Sequence, residues 1–362
     1  MELMQASHEW ATRPYDERYL DLPSMHAEQV NRREHSRGIT VPSRSLTCEC
    51  VADSNHKGLV VTGPNGHAYA PTNWAFGQLA TRAGAPAGYL RTLPSEMAAD
   101  CINYGLKVAR DIEDVGVLLY KNGGAPKLQA ATGPAYGRIW NADITKGLMD
   151  RFGDGVTGQF RIPAEFGRRA PITKENTTLY AGDRDMFVFL ADEDRRIEIP
   201  NRRRGRSGSL ARGFFVWNSE VGSSIFGIST FLMDYMCGNH IVWGVEEFKE
   251  LKIRHTSGAP DRFFREIAPA LQTYANSSAV GVQQAIEDAR SHKIAEDLDA
   301  FLKARNFTAS TIGSMKLAHK LEEGRPIETR WDVVVAATAV ARGIEWQDER
   351  VALERKAGLL LN

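Results

Sequence analysis

"VWNSEVGSSIFGIS", residues 216–229, sets Asn218, Ser219 and Glu220 inside one of the most apolar stretches of the chain. Phe214 and Phe215 precede the segment, and Ile225, Phe226 and Ile228 close it. Both flanks have the aromatic and β-branched content of strands. Between them Asn and Ser are turn formers, and Gly222 takes a positive φ without steric cost. The stretch predicts a β-hairpin with a solvated tip, its strands being Gly213 to Trp217 and Ser224 to Cys237. Glu220 there is unsuited to direct phosphate contact, because a carboxylate repels the backbone; it is expected to orient Arg212 or a histidine.

Outward from this hairpin the middle of the chain stays β-rich. "VGVLLYKNGGAPKLQAATG" (115–133) joins two apolar runs through Asn122, Gly123 and Gly124, a strong hairpin signal. "TLYAGDRDMFVFLAD" (178–192) reads as two strands around Gly182 and Asp183, and "AYGRIWNADITKGLMDRFG" (135–153) as a strand to Asn141, then a helix closed by Gly153. Upstream, "SLTCECV" and "GLVVTG" are short strands, and a helix follows in "PTNWAFGQLATRAG", capped by Thr72 or Asn73. From Pro260 the spacing turns helical, with Thr308 as a cap and "VGVQQAIEDARSHKIAEDLDAFLKARN" as one long helical run. The expected fold class is α+β: a β-rich central mixed or antiparallel sheet, flanking helices and an all-helical C-terminal region. The expected divisions are an N-terminal arm at 1–45, centred on the polar "HAEQVNRREHSRG", a core domain at 46–258 and a helical domain at 259–362.

The 45 Lys and Arg balance the 45 Asp and Glu, so any nucleic-acid contact must rest on a local patch. No apolar run approaches the roughly 18 residues of a membrane span, and the N-terminus lacks a signal-peptide layout. Four scattered cysteines exclude a disulfide scaffold. The expected setting is the reducing cytoplasm of a bacterial host cell.

"NSEVGSS" (218–224), "FLMDYMCGNHIVWG" (231–244) and "IRHTSG" (253–258) together resemble the signature of the uncharacterised DUF932 proteins of phages and plasmids. "NWAFGQLATRAGAPAGYL" (73–90), "YGRIWNADITKGLMD" (136–150) and "TRWDVVVAATAVARG" (329–343) extend the likeness in the same order over about residues 70–345. His240 stands where the family usually has Gly. The resemblance implies a mobile-element setting rather than an activity, and it singles out Asn218, Ser219, Glu220, Gly222, Cys237, Asn239, Arg254 and His255.

The densest charge lies in "RRIEIPNRRRGRSGSLARG" (195–213), where Arg195, Arg196, Arg202, Arg203, Arg204, Arg206 and Arg212 fall within eighteen residues. Arginine forks pair with phosphates, and the following Phe215 and Trp217 offer rings for stacking on unpaired bases. The alternative is a solvated loop whose arginines meet Asp192, Glu193 and Asp194. "QLATRAGAPAGYL" invites a helix-turn-helix reading, but its second helix is short with only Arg91 to reach a phosphate, which suits a packed helical hairpin. A metal-dependent nuclease reading draws on Asp234, Glu247 and Lys249, with Mg as its cofactor. Cys48-x-Cys50 with His56 lacks the second cluster a metal site needs. His240 and His255, with Glu220, have the chemistry for acid–base work but suit hydrogen-bonded strand ends equally well. There is neither a phosphate-binding glycine loop nor a nucleophile elbow. The acidic helix "AIEDARSHKIAEDLDAF" makes a solvated face or a partner surface.

These residues lead to a non-enzymatic protein that binds nucleic acid, single-stranded DNA above all, in annealing or recombination. It needs no cofactor and is a candidate homo-oligomer through its helical tail. The alternatives are the nuclease and an anti-defence or regulatory protein that binds a host protein.

Overall fold

A computed structural model describes residues 13–51, 58–64, 66–108, 114–163, 171–202, 205–234, 239–241, 251–276, 280–295, 297–341, 343–344, 353 and 356–361, with the backbone alone at 201, 234, 239–241 and 268. The fold is α+β, with two sheets and a helical C-terminal region.

The first sheet is built on the hairpin of Arg206–Asn218 and Phe226–Asp234, paired antiparallel from Leu210↔Asp234 to Trp217↔Gly227. Its order is Arg18–Tyr19, Leu179–Ala181, Met186–Asp192, Arg206–Asn218, Phe226–Asp234 and Asn239–Ile241. Ile197–Arg202, Leu251–Ile253 and Phe160–Arg161 pair at its margins. Two glycines fix how the hairpin packs. A side chain at Gly227 would run into the Trp217 ring, and one at Gly213 into Phe231, so each ring lies over the glycine opposite it.

Both faces of this sheet are apolar, which explains why its strands read as near-continuous hydrophobic runs. On one face Val188, Leu190, Phe214, Val216, Phe226 and Ile228 pack against the helices Leu22–Glu34, Asn141–Phe152 and Ala259–Asn276. On the other, Phe187, Phe189, Phe215, Trp217 and Phe231 form an aromatic layer.

The second sheet runs Ser36–Pro42, Asp114–Tyr120, Lys127–Thr132, Ala68–Pro71, Leu59–Thr62 and Thr47–Cys50. The pairing of Ala68–Pro71 with Lys127–Thr132 is parallel, so this sheet is mixed. The helices Asn73–Arg82 and Ser95–Val108 cover one face.

Three expectations differ from this architecture. The polar start contains the helix Leu22–Glu34, capped by Asp21 and anchored by fully buried Leu22 and Met25, so it is not a loose arm there. Residues 136–140 form no strand, and Gly137 hydrogen-bonds the backbone of His255 instead of a ladder. The long tail helix breaks into Val280–Ser291 and Leu298–Lys303, since the Asp297 side chain caps a new N-terminus at Ala300 N.

The tail does not stand alone. Ile197, Ile199, Leu210 and Leu232 of the sheet share one core with Trp331, Val334 and Ala337 of the helix Arg330–Ala341. That helix is apolar all round because it is enclosed on every side. Its Asp332 lies beside His319 and takes a two-pronged contact from Arg325, at 2.7 and 2.6 Å, and the two hold the carboxyl far below the usual carboxylate range despite burial.

Candidate functional site

The polar trio does turn the hairpin, but the turn is not solvated. Asn218 and Ser219 are fully buried, and Val221 packs between Leu118 and Ala130 of the second sheet. The tip of one sheet is thus a plug in the other. Burial favours hydrogen bonds for polar groups, and segments far apart in sequence supply most of them, although Asn218 Oδ1 has no partner among the described residues.

Asn218 Nδ2 donates to Ile139 O at 2.9 Å and to Asn141 Oδ1 at 2.8 Å. Ser219 Oγ donates to Arg184 O and accepts from Val221 N and Ser223 N, closing the turn on itself. Tyr136 OH donates to Ser219 O at 2.7 Å, and Arg138 Nε to Glu220 O at 2.7 Å. Trp74 Nε1 and Gln78 Nε2 both donate to Val221 O, at 3.0 and 2.7 Å. Tyr136 stacks on His255 with ring centroids 4.7 Å apart, and His255 Nδ1 donates to Gly137 O at 3.0 Å.

Among the described residues Glu220 neither orients Arg212 nor meets a histidine. Its Oε1 accepts from Asn141 N at 2.7 Å, at the start of the helix Asn141–Phe152. That N-terminus has no cap of its own, so a carboxylate from another element satisfies an orphan N–H and meets the positive end of the helix dipole. Burial pushes the Glu220 carboxyl above its usual range, while the Asn141 N–H and Arg32, Arg138 and Arg33 pull it down.

Beside the plug opens a cleft of about 940 Å³ lined by Trp74, Gln78, Arg82, Arg91, Thr132, Tyr136, Arg184 and Gly222, among others. None of its described lining residues is acidic. Arg184 lies over the Trp74 ring at 5.3 Å and Arg91 over Phe76 at 5.1 Å. Arg82 is held by Ala131 O, while Arg91 folds back on Asn73. The helices Asn73–Arg82 and Ala87–Leu90 pack on the second sheet as a helical hairpin.

The arginine stretch does not form a single basic surface. Arg202 is 1% exposed, paired with Glu323 at 2.9 Å and set over Trp331. Arg212 is 3% exposed and paired with Asp192 at 3.1 Å between the rings of Phe160 and Tyr274. Arg196 pairs with Glu193. Only Arg195 and Arg206, of the described members, are exposed. Phe215 and Trp217, expected to stack on bases, are buried in the aromatic layer with ring centroids 5.1 Å apart. A two-sided core took the rings, and buried carboxylates took the arginines.

Arg203, Arg204, Cys237, Glu247, Lys249 and His56 lie outside the described residues, and of Asp234, Asn239 and His240 only the backbone is described. Asp234 pairs with Leu210 and Asn239 at the end of its strand. Arg254 is exposed. Cys48 is buried, which pushes its thiol up to about 12, whereas Cys50 is exposed, so the two do not share one environment. Among the described residues no three His, Cys, Asp or Glu gather as a metal site, and no helix is long and apolar enough to cross a membrane.

Burial lowers the His255 pKa below 6.5, and its Nε2 is buried without a hydrogen-bond partner among the described residues. The unfolded chain binds the His255 proton more readily, so stability is present above pH 6.5 and falls as pH drops below it. The expected slope is at most about 1.4 kcal/mol per pH unit. Urea unfolding of the wild type and of His255→Gln between pH 7 and 5 measures it. The difference between the two curves should shrink toward low pH; a constant difference rules out this role.

No family model, no curated protein and no solved structure matches the chain.

Proposed function

We propose that this protein binds nucleic acid, with single-stranded DNA the favoured ligand, along the cleft beside the hairpin plug. The observation that carries this reading is the combination of Arg82, Arg91 and Arg184 with the aromatic rings of Trp74 and Tyr136 around a cleft with no acidic residue among its described lining. Arginine forks hold phosphates while aromatic faces accept bases of any sequence. With net charge zero, such a local patch is what an electrostatic contact requires. Four of the segments that carry the DUF932 resemblance, at 73–90, 136–150, 218–224 and 253–258, meet around the plug that walls this cleft. That convergence favours a mobile-element role in strand annealing or recombination.

The test is anisotropy of a labelled single-stranded oligonucleotide across a salt series, with and without Mg. The Arg91→Ala/Arg184→Ala variant should bind at least about tenfold more weakly, and its slope of log affinity against log salt should drop by about 0.7 for each phosphate it no longer neutralises. Arg195→Ala/Arg206→Ala, on the exposed part of the arginine stretch, should bind as wild type does. If the second variant loses affinity and the first does not, the cleft is the wrong surface. Shortening of the oligonucleotide only with Mg would favour a nuclease instead.

A further inference from the structure

The helix Ser95–Val108 is apolar on two sides. Ala98, Ala99, Ile102 and Leu106 are buried in the core of the second sheet. On the opposite side Met97, Tyr104 and Val108 are 53%, 70% and 54% exposed, and Cys101 is exposed between them. A solvated helix face normally carries charge there. The spacing of this stripe is 4, 3 and 4 residues, the repeat that keeps a seam facing a partner helix. Fourteen residues give it a length of about 21 Å.

We infer that this stripe pairs two copies of the chain through an antiparallel helix–helix contact. The flanking charges select both the partner and its direction. In the seam Met97 and Tyr104 are d positions, Cys101 and Val108 are a positions, and Asp100 and Lys107 are g positions. Antiparallel pairing brings the g positions of two helices together, so Asp100 of each copy meets Lys107 of the other. Neither residue has an ion-pair partner among the described residues, and both are exposed. Parallel pairing sets g against e instead, and the e positions are the uncharged Ala98 and Gly105. The helix is therefore complementary to itself in one direction only.

A seam of four side chains lies at the small end of interfaces, so the dimer is weak and concentration-dependent. Sedimentation equilibrium of the full chain from about 1 to 100 µM should show a monomer–dimer equilibrium with a dissociation constant in that range. Tyr104→Glu replaces an exposed side chain and leaves the fold intact; it should weaken dimerisation at least about tenfold, as removal of a central aromatic does. Asp100→Lys should weaken it as well, and Asp100→Lys/Lys107→Asp should restore it. A chain that stays monomeric throughout, or a dimer indifferent to Tyr104→Glu, overturns the inference. Failure of the double exchange to rescue overturns the antiparallel arrangement.

Discussion

Arg212→Ala is expected to lower the unfolding free energy by about 3–5 kcal/mol, the cost of leaving one member of a buried ion pair alone. Asp192 is fully buried, and among the described residues it would keep only Gln159 Nε2 at 2.8 Å and Arg195 N at 3.1 Å. The rings of Phe160 and Tyr274, each 5.6 Å from the guanidinium, would face a void. Because the pair is almost free of solvent, screening does not soften the effect. Replacing both partners with apolar residues, as Arg212→Met/Asp192→Leu, should recover most of it, since the desolvation penalty disappears with the charges. Urea midpoints of the three proteins decide the matter, with exposed Arg195→Ala staying within about 0.5 kcal/mol of wild type. A destabilisation under about 1 kcal/mol in Arg212→Ala would falsify the interior role and return this arginine to the candidate phosphate ligands.

Trp217→Ala should cost a similar amount, about 3–5 kcal/mol, through the cavity left by a large buried ring. The ring lies over Gly227 and against Phe215, and the glycine has no side chain with which to fill the space. Trp217→Phe should be markedly less damaging. The same variants separate packing from base stacking. Measured on folded protein, single-stranded DNA affinity of Trp217→Phe should equal that of the wild type. A selective drop in affinity without a drop in stability would mean that the ring reaches ligand after all.

Much of the fold is legible in local patterns. Asn122 to Gly124 mark a true hairpin, Thr72 and Thr308 do cap helices, and Gly153 does close one. These features depend on backbone chemistry within a few residues, so the sequence carries them openly. The candidate site is legible only in part. "NSEVG" reads as a turn between strands and is one, yet its burial depends on Leu118, Ala130 and Val221 meeting from two sheets. No spacing in the chain encodes that encounter.

The arginine stretch shows the same limit from the other side. Charge density along a chain cannot say which guanidinium will find a buried carboxylate, and Glu323, the partner of Arg202, is 121 residues away. Conversely, Arg82, Arg91 and Arg184 stand apart in sequence, and Arg184 joins the other two only where the plug brings the two sheets together. The α+β class, the hairpins and the caps follow from periodicity and local hydrogen bonding, so they can be read along the chain. Tertiary structure alone decided which polar residues went inside and which arginines stayed at a surface. Burial is settled by what lies opposite each residue, and long-range pairing places those neighbours.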